Sequence, residues 1–505
     1  MDKKTILADL FEEEEDFDRY GIPFATKNHT YFFDSGTGKV LQCTEEMYAL
    51  LINLFENKGK IKDLELPQAV IEDTIQKLKE AIVKENIFKA RKLDSFNCAH
   101  VNNLDGLVAQ GCQQLILEVT EECNLRCRYC IYGDDTKNFR DFGNDRMSFD
   151  IAKKAIDFFR DHADKEHDLI VSFYGGEPLL NYGLIVEAVH YCKRVLENRV
   201  TFNLTSNLTV LNKQMAEFFA GNDFRIICSL DGDEQIHNQN RILKNGTGSY
   251  ERTIAGLKLL YQCYDKSQRK HIGVNSVITP PYNEERFERI NKFFEELPYF
   301  EEQSPQSVSY EGRDVIAIDT GLSSNMDIVR FSQEDRYDLV KWEYSKLSEK
   351  REKLFSDMMD AGLKDIHNRR ISDIPFVDSG LNACCVPGIQ RLYVSVKGNF
   401  YACERIGNSP AIGNVQDGIS LESIKKYYVD EYVRQSKENC RRCWALQLCN
   451  VCYARCYDDD GLDMKRKKVL CEECRDEMYK MLILYHTVLE EQPELLMKYN
   501  KDENE

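Results

Sequence analysis

The sequence lacks three features that mark common classes of protein. It has no run approaching the ~18 consecutive apolar residues that a membrane helix requires, so we expect no membrane span. It opens with two lysines and an acidic run but no apolar export segment, which predicts a cytoplasmic protein. It also lacks an excess of basic charge, because 67 basic side chains face 85 acidic ones for a net charge of −18. Nucleic acid is therefore not an expected partner, since binding to phosphates needs clustered Lys and Arg.

Cysteine, by contrast, is abundant, with 19 residues in a chain of 505. A cytoplasmic protein does not keep disulfides, so metal or iron–sulfur ligation is the better explanation for so many thiols. The chain is longer than one core supports, and its 42% hydrophobic and 30% charged residues are typical of a soluble globular protein with several domains.

The first cysteine cluster follows an apolar, strand-like run that includes Leu115 and Val119. Cys123, Cys127 and Cys130 then supply three thiolates from one short loop, with the spacing C-x3-C-x2-C. A [4Fe–4S] cube has four iron corners and normally takes four Cys ligands, so a loop with three would leave one iron open to another ligand. A zinc knuckle, which needs a fourth ligand, and unliganded core thiols are the alternatives.

Between residues 113 and 320, apolar strand patterns alternate with amphipathic helix patterns. The predicted strands cover 114–120, 169–174, 200–205, 224–230 and 271–278, with a sixth between 306 and 318. The predicted helices cover 148–162, 182–197, 212–220, 249–264 and 283–296. Repeated β–α units with nearly continuous apolar strands indicate a parallel sheet that is buried on both faces, with sites at the carboxyl ends of its strands.

Three of these strand ends carry polar motifs. The second predicted strand ends in GGEP, where Gly175 and Gly176 let the backbone approach a ligand and Glu177 can accept a hydrogen bond from an ammonium group. The third ends in TSNLT (205–209), and the fourth ends in CSLDGDEQIHNQNR (228–241). Taken alone, GGEP is more often an ordinary turn than a site, and a helix cap and a surface ion pair are the alternatives for Ser229 and Arg241.

More than half of the cysteines lie in the C-terminal part of the chain. They are Cys384, Cys385, Cys403, Cys440, Cys443, Cys449, Cys452, Cys456, Cys471 and Cys474. Gly398 and Cys403 make a G-x4-C pattern. Cys440, Cys443 and Cys449 follow the spacing C-x2-C-x5-C. Two zinc ribbons built from CxxC pairs are the alternative to iron–sulfur ligation here.

The three-cysteine loop with Tyr129 before its last Cys, the GGEP turn one β–α unit later and the C-terminal cysteines together resemble one family. This family is the radical S-adenosylmethionine (SAM) enzymes with a SPASM extension, of the type that matures ribosomally made peptides. The resemblance implies an α/β fold with a partial (β/α)6 TIM-like barrel. It also implies a [4Fe–4S] cluster whose open iron chelates SAM, and cleavage of SAM to methionine and a 5′-deoxyadenosyl radical.

The same resemblance implies which residues contact SAM. The GGEP turn would receive the amino group of SAM, and Arg241 would face its carboxylate. The TSNLT stretch resembles the family's T-N-G-T turn, with Ser206 for Thr and Leu208 for Gly. The implied SAM contacts are Tyr129, Gly175, Gly176, Glu177, Ser206, Asn207, Ser229, Arg241 and Val277.

A SPASM extension binds two auxiliary [4Fe–4S] clusters, which would bring the total to three. By resemblance, the first takes Cys385 or Cys384, Cys403, and one or both of Cys452 and Cys456. The second takes Cys440, Cys443, Cys449 and Cys471, with Cys474 as a substitute for the last. Glu404 follows the G-x4-C cysteine, where sulfatase-maturating relatives carry an acidic base, and would be a proton acceptor.

We predict five parts in the chain. Residues 1–95 form a small α+β, winged-helix-like module, which resembles the peptide-recognition elements at the front of such maturases. Its patterns predict a hairpin over 31–44, a helix that Thr44 opens and a second helix with Pro67 near its start. Residues 96–320 form the barrel, 321–380 a helical insertion, 381–476 the cysteine-rich iron–sulfur SPASM domain, and 477–505 a C-terminal helix and tail.

We therefore expect an enzyme that installs thioether crosslinks in a cysteine-containing precursor peptide. The N-terminal module would hold the peptide, and an external one-electron reductant of the flavodoxin or ferredoxin type would drive cleavage of SAM. Carbon–carbon crosslinking of the peptide and generation of formylglycine in a sulfatase are alternative reactions. An iron–sulfur electron carrier or a zinc scaffold is the non-enzymatic alternative.

Overall fold

The computed structural model describes residues 16–133, 141–196, 199–279, 283–298, 306–310, 362–382, 384–453 and 456–500. Its N-terminal module begins with an antiparallel sheet of three strands in the order β1–β2–β3. These strands are β1 (Gly21–Ala25), β2 (Thr30–Asp34) and β3 (Val40–Cys43). The predicted hairpin corresponds to β2 and β3, whereas β1 was not predicted.

Two helices pack on this small sheet, α1 (Glu45–Glu56) and α2 (Gln68–Glu85), and both were predicted. The side chain of Thr44 caps α1 by accepting a hydrogen bond from the Met47 amide, as its sequence position suggests. The apolar faces of both helices share a separate hydrophobic core with Phe32 and Phe88, whose rings stack 4.6 Å apart.

The module docks on the long C-terminal helix. Glu490 of that helix accepts hydrogen bonds from the Tyr31 hydroxyl and the Thr26 hydroxyl, both at 2.7 Å. One turn earlier, the His486 ring lies 5.0 Å from the Phe24 ring and 4.9 Å from the Tyr31 ring. Burial among these rings lowers the pKa of His486 to about 4. The module is therefore fixed to the cysteine-rich part of the chain.

The central sheet contains six parallel strands that follow each other in chain order. These are β4 (Gln114–Thr120), β5 (Leu169–Gly175), β6 (Val200–Ser206), β7 (Arg225–Ser229), β8 (Ile272–Ile278) and β9 (Gln306–Tyr310). All six were predicted: β4, β5 and β8 are mostly apolar, whereas β9 (QSVSY) contains few apolar residues. On β4, for example, Leu115, Leu117 and Val119 are fully buried in the main core.

Helices before and between these strands cover the sheet. They are α3 (Ala99–Asn102), α4 (Leu104–Gln110), α5 (Phe149–His162), α6 (Tyr182–Val195), α7 (Lys213–Gly221), α8 (Glu234–Asn240), α9 (Tyr250–Cys263) and α10 (Glu284–Glu296). The five helices predicted between strands are confirmed to within about two residues at each end. The short helix α8 was not predicted, although Asp233 caps it by accepting from the Gln235 and Ile236 amides.

The sheet does not end at β4, because four short strands of the C-terminal part extend it. They are β10 (Leu392–Val394), β11 (Asn399–Tyr401), β12 (Gly413–Asn414) and β13 (Gly418–Ile419). Strand β10 pairs with β4 in parallel, with Leu392 opposite Leu115, and the remaining pairs are antiparallel. The sheet thus has ten strands and runs across the predicted division between barrel and cysteine-rich domain.

The rest of the C-terminal part is mostly helical. It contains α11 (Leu421–Ser423), a π-helical stretch at Ile424–Asp430, α12 (Glu431–Cys440), a hairpin of β14 (Tyr457–Asp458) and β15 (Gly461–Leu462), and α13 (Met464–Glu491). Helix α13 begins well before the C-terminal helix predicted from residue 477, because Asp463 caps it. Residues 321–361 of the predicted helical insertion lie outside the described residues. None of the described helices is long and apolar enough to cross a membrane.

Candidate active site

The three-cysteine loop lies at the carboxyl end of β4 and is held in place by its neighbours. The backbone amides of Arg126 and Arg128 donate to the carbonyls of Ile242 and Asn240, at 2.7 and 3.1 Å. On the other side, the Asn124 side chain donates to the Thr209 hydroxyl at 2.7 Å. The protein thus fixes the loop through ordinary hydrogen bonds to the segments that follow β6 and β7.

Cys123, Cys127 and Cys130 line one cavity with about 1040 Å³ of space, part of it open to solvent. Every residue that the resemblance assigned to SAM lines the same cavity, although these residues come from the ends of five strands or their following loops. Burial raises the pKa of the Cys123 and Cys127 thiols to about 12. Thiolates in such a place require a bound metal group, and soft sulfur donors suit an iron–sulfur cluster.

The GGEP turn packs directly against the start of the cysteine loop. The Gly176 and Glu177 amides donate to the carbonyls of Thr120 and Glu122, at 2.9 and 2.8 Å. Gly175 has a φ of +133°, and a Cβ there would lie 2.2 Å from the Thr120 carbonyl oxygen. These glycines were predicted to let the backbone approach a ligand, whereas in the structure they make room for the neighbouring backbone.

Glu177 ties the ends of β5 and β6 together. Its carboxylate is almost fully buried and accepts from the Ser206 hydroxyl at 2.7 Å, the Asn207 amide at 2.8 Å and the Leu179 amide at 3.0 Å. Burial raises the pKa of Glu177, and these three donors oppose that effect. A carboxylate has about four acceptor positions, so room for about one more donor, such as an ammonium group, remains.

Leu208 occupies the position at which the T-N-G-T turn has glycine, and its φ of +58° is the left-handed conformation that glycine favours. Its side chain is fully buried, which offsets the cost of that conformation. Helix α9 approaches this turn closely at Gly256, where a Cβ would lie 2.5 Å from the Leu208 carbonyl oxygen. The turn therefore keeps the shape that the resemblance implies despite the substitution.

A buried ion pair forms the base of the cavity. Arg241 Nε lies 2.9 Å from Asp231 Oδ1, with the two side chains only 8% and 1% exposed. Asp231 also accepts hydrogen bonds from the Tyr129 hydroxyl and from the Val277 amide, the latter at 3.0 Å. Asp231 lies in the CSLDG motif at the end of the fourth predicted strand, but no role was predicted for it. Its signal was that motif, which places the acid two residues after the strand-end serine.

Strand β8 places Val277 and Ile278 on opposite faces of the sheet. Val277 lines the cavity, whereas Ile278 is fully buried in the main core on the other side of the sheet. Asn275, two residues earlier, also lines the cavity and was not predicted. The alternation of side chains along a strand explains why these alternate residues share a face.

The C-terminal cysteines fall into two groups. In the first, burial raises the pKa of the Cys384 thiol and the nearby Cys456 and Cys452 raise it further, and Cys452 likewise adds to the raised pKa of Cys403. Cys384 is buried and Cys385 is exposed, so the described geometry favours Cys384 as the ligand of the predicted pair. Glu404 lies beside Cys403, where its Oε1 accepts from Arg391 at 3.0 Å, and it does not line the cavity of the three-cysteine loop.

The second group joins the segment around α12 to helix α13. Burial raises the pKa values of Cys440 and Cys443, and the nearby Cys471 adds to both effects. Cys449 Sγ lies 3.9 Å from Cys474 Sγ. Within the described residues, no three Cys, His, Asp or Glu side chains lie close enough together to share one metal ion. Each group nevertheless supplies the four thiols that a cube takes, and the second has one thiol more.

Comparisons with known proteins agree with this geometry. Residues 117–294 match the family model of the radical SAM superfamily. An uncharacterized protein of Methanocaldococcus jannaschii is 28% identical over 325 residues, which cover 63% of this chain and 94% of the relative. The radical SAM cyclopropyl synthase TigE of Paramaledivibacter caminithermalis is 24% identical over 400 residues, 77% of this chain and 76% of the relative.

A cysteine-type anaerobic sulfatase-maturating enzyme of Clostridium novyi is 28% identical over 193 residues, 37% of this chain. The chain spans about half of that relative, since 48% of it is covered. Among solved structures, native anSMEcpe with bound AdoMet superimposes with a TM-score of 0.56 at 20% identity, covering 77% of this chain and 100% of the other. This structural likeness shows a shared fold.

Proposed function

We propose that this chain, a radical SAM enzyme by its matched domain and its relatives, acts on a peptide to which it is directed by its N-terminal module. The observation that carries the proposal is the single cavity lined by the three loop cysteines and by every implied SAM contact. An electron carrier or a zinc scaffold does not account for such a cavity. We further propose that β4–β9 form a partial (β/α)6 barrel around it.

When bound at the loop, a [4Fe–4S] cluster and SAM supply a 5′-deoxyadenosyl radical that removes hydrogen from an unactivated carbon. The chain's own residues bind and orient SAM. Glu177 has room to accept from the amino group, and Arg241, held by Asp231, presents positive charge beside Cys127. Val277 offers an apolar wall for the adenine ring.

The N-terminal module supports the choice of a peptide substrate. Its strand β3 forms one edge of the three-stranded sheet, and its residues are half-buried or exposed. An extended peptide binds such an edge by adding a strand through backbone hydrogen bonds. The similarity to TigE, which is named as a radical SAM cyclopropyl synthase, covers three quarters of both chains and supports an enzyme of this general type.

The two C-terminal cysteine groups would hold two auxiliary [4Fe–4S] clusters, as in a SPASM domain. Cys384, Cys403, Cys452 and Cys456 would bind the first, and Cys440, Cys443, Cys449 and Cys471 would bind the second, with Cys474 as the alternative last ligand. Clusters held there would supply an electron acceptor for an oxidative reaction.

For the reaction we propose a thioether crosslink between a peptide Cys and a carbon. Its formation removes two hydrogens from the peptide, one as a hydrogen atom from carbon and one as the thiol proton, and the remaining electron passes to the acceptor. Glu404 beside Cys403 would accept the proton. The second candidate is oxidation of a Cys to formylglycine, which the similarity to the cysteine-type sulfatase-maturating enzyme favours.

The test uses the anaerobically reconstituted enzyme with dithionite, SAM and candidate peptides, with flavodoxin as an alternative reductant. One peptide is encoded beside the gene, and the other carries a sulfatase-type Cys. We expect 5′-deoxyadenosine from the wild type and from C263A, a control on α9, and none from C123A/C127A/C130A.

Mass spectrometry then identifies the reaction. A thioether removes two hydrogens and protects the Cys from alkylation, whereas a carbon–carbon bond removes two hydrogens and leaves the thiol free. Formylglycine replaces the Cys sulfur by a carbonyl oxygen. Cleavage of SAM with neither peptide altered would refute the peptide substrate but not the radical chemistry.

A further inference from the structure

His237 is a buried histidine in the short helix α8, which follows strand β7. It is 0% exposed, and it is not among the described residues that line the cavity of the three-cysteine loop. The amide of Asp231 donates to its Nδ1 at 3.4 Å, and its Nε2 lies 2.9 Å from the Ser249 hydroxyl oxygen. Both ring nitrogens therefore make hydrogen bonds within the protein.

These two partners determine which ring nitrogen carries the proton. A backbone amide can only donate, so the Nδ1 atom accepts and carries no hydrogen. The Nε2 atom then carries the hydrogen and donates to the Ser249 hydroxyl, which in turn donates to the Arg241 carbonyl at 2.8 Å. Burial lowers the pKa of His237 to about 4, which keeps the ring neutral, as this arrangement requires.

The resulting chain of hydrogen bonds holds the backbone of both members of the buried ion pair. On Asp231 it holds the amide, and on Arg241 it holds the carbonyl through Ser249. The Arg241 amide also donates to the His237 carbonyl at 2.9 Å. Arg241 directly follows α8, and with φ −87° and ψ 87° its backbone has left the helix. Its position is therefore fixed by these contacts and not by the helix alone.

Ser249 does not perform the usual function of its position in the chain. It is the N-cap residue of α9, where a serine side chain ordinarily accepts from an amide of the first turn. Ser148 does this at the start of α5, where it accepts from the Ile151 amide. Within the described residues, the Ser249 side chain makes no such bond and is 0% exposed. Its hydroxyl connects His237 to Arg241 instead.

We propose that His237, acting through Ser249, is a positioning residue that sets where the Arg241 guanidinium meets the carboxylate of SAM. This inference rests on the proposed function, with Arg241 facing that carboxylate as the family resemblance implies. Arg241 Nε is bound to Asp231, so the direction of the remaining nitrogens depends on how the two backbones lie relative to each other. A guanidinium binds a carboxylate in a fixed fork geometry, which a shift of the backbone would spoil.

The experiment measures the affinities of the reconstituted enzyme for SAM and for decarboxylated SAM. Anaerobic equilibrium dialysis without reductant gives both Kd values, and their ratio reports what the carboxylate contributes. H237F and S249A are compared with R241Q, which removes the guanidinium, and with H486Q, a matched control at another buried histidine. We expect the preference for SAM to fall about tenfold in H237F and S249A and at least as far in R241Q, with no change in H486Q.

The ratio separates positioning from a general effect on the fold. If H237F and S249A weaken both ligands equally, or leave both unchanged, the inference is wrong while the role of Arg241 stands. If R241Q also keeps the parent ratio, Arg241 does not face the carboxylate, and the inference fails together with that part of the proposed function.

Iron is counted in every variant, because the segment around Arg241 also holds the three-cysteine loop. If H237F takes up no iron, S249A decides by its ratio. If neither variant takes up iron while H486Q does, the two residues maintain the cysteine loop, and the inference is overturned.

A spectroscopic measurement on the iron-free protein tests the chain of hydrogen bonds itself. The rings of all nine histidines are labelled with 15N, and H237F identifies the His237 signals by their loss. We expect a neutral ring that is protonated at Nε2. S249A should shift the Nε2 resonance, whereas the control S148A should not. A His237 ring protonated at Nδ1, or one that S249A leaves unchanged, would contradict the inference.

Discussion

Replacing Arg241 by Gln tests whether the buried ion pair organises the base of the SAM cavity. The substitution leaves the Asp231 carboxylate, which is 1% exposed, with the Tyr129 hydroxyl and the Val277 amide as its remaining hydrogen-bond donors. Removing one partner of a buried pair leaves an uncompensated charge and typically costs ~3–5 kcal/mol. We expect R241Q to lower the free energy of unfolding by that amount.

A second ion pair in the same region provides a matched control. Arg289 Nε lies 2.6 Å from Asp233 Oδ2, but these side chains are 45% and 27% exposed. Asp233 stands two residues after Asp231, so the two pairs differ mainly in burial. Because exposed pairs contribute little, R289Q should cost only ~0–1 kcal/mol. Urea unfolding of the iron-free chain gives both values, provided that the m-values agree.

A double-mutant cycle completes this test. R241Q combined with D231N removes both charges, so the double variant should be more stable than the sum of the single losses predicts, by ~0.5–3 kcal/mol. R241Q should also weaken SAM binding to the loaded enzyme, whereas R289Q should not. If R241Q costs no more than R289Q, the pair does not stabilise the base of the cavity and the reasoning is wrong.

Three further predictions follow from packing, burial and charge. G256A should lower the free energy of unfolding by ~1–3 kcal/mol, because the new methyl group overpacks the turn at Leu208. At the control position Gly183 an added Cβ has nothing within 4 Å, so G183A should leave the free energy unchanged or raise it by up to ~1 kcal/mol. Urea unfolding of both variants measures the difference. Iron analysis should find that C384S loses about four of about twelve irons and that C385S loses none, because Cys384 is buried and Cys385 is exposed. Equal losses would contradict the assignment of Cys384 as the cluster ligand. The pKa of His486 is about 4 in the folded chain and ~6.5 in the unfolded chain, so the unfolded chain binds a proton first as the pH falls. The free energy of unfolding of the wild type should therefore fall between pH 6.5 and 4 more steeply than that of H486F. Parallel pH profiles for the two proteins would contradict this.

Most of the parallel strands were predictable because they are rich in apolar residues and turn residues follow them, whereas β9 (QSVSY) was predicted only as lying between residues 306 and 318. Strands β10 to β13 were not, since two or three residues are too few to show an alternating pattern. The register of β10 with β4 depends on a contact between Leu392 and Leu115, far apart in sequence. Long-range pairing of this kind is invisible to local patterns.

The sequence predicted which residues come together at the candidate site, because parallel strands place their carboxyl ends at one edge of the sheet. What each residue does there depended on tertiary contacts. The Glu177 carboxylate already accepts hydrogen bonds from Ser206, Asn207 and Leu179. Asp231 holds Arg241, which lies ten residues away in the sequence. Cys384 and Cys385 are chemically identical neighbours, and burial alone distinguishes them.

The central claim is that the [4Fe–4S] cluster at the three-cysteine loop has one iron without a protein ligand, and that SAM coordinates this iron. Electron–nuclear double resonance of the reduced enzyme, with SAM labelled at its amino nitrogen and carboxylate oxygen, tests this directly. We predict hyperfine coupling from both labels to the cluster in the wild type and its loss in C123A/C127A/C130A. SAM that binds stoichiometrically to the reduced wild type without coupling from either label would contradict the account.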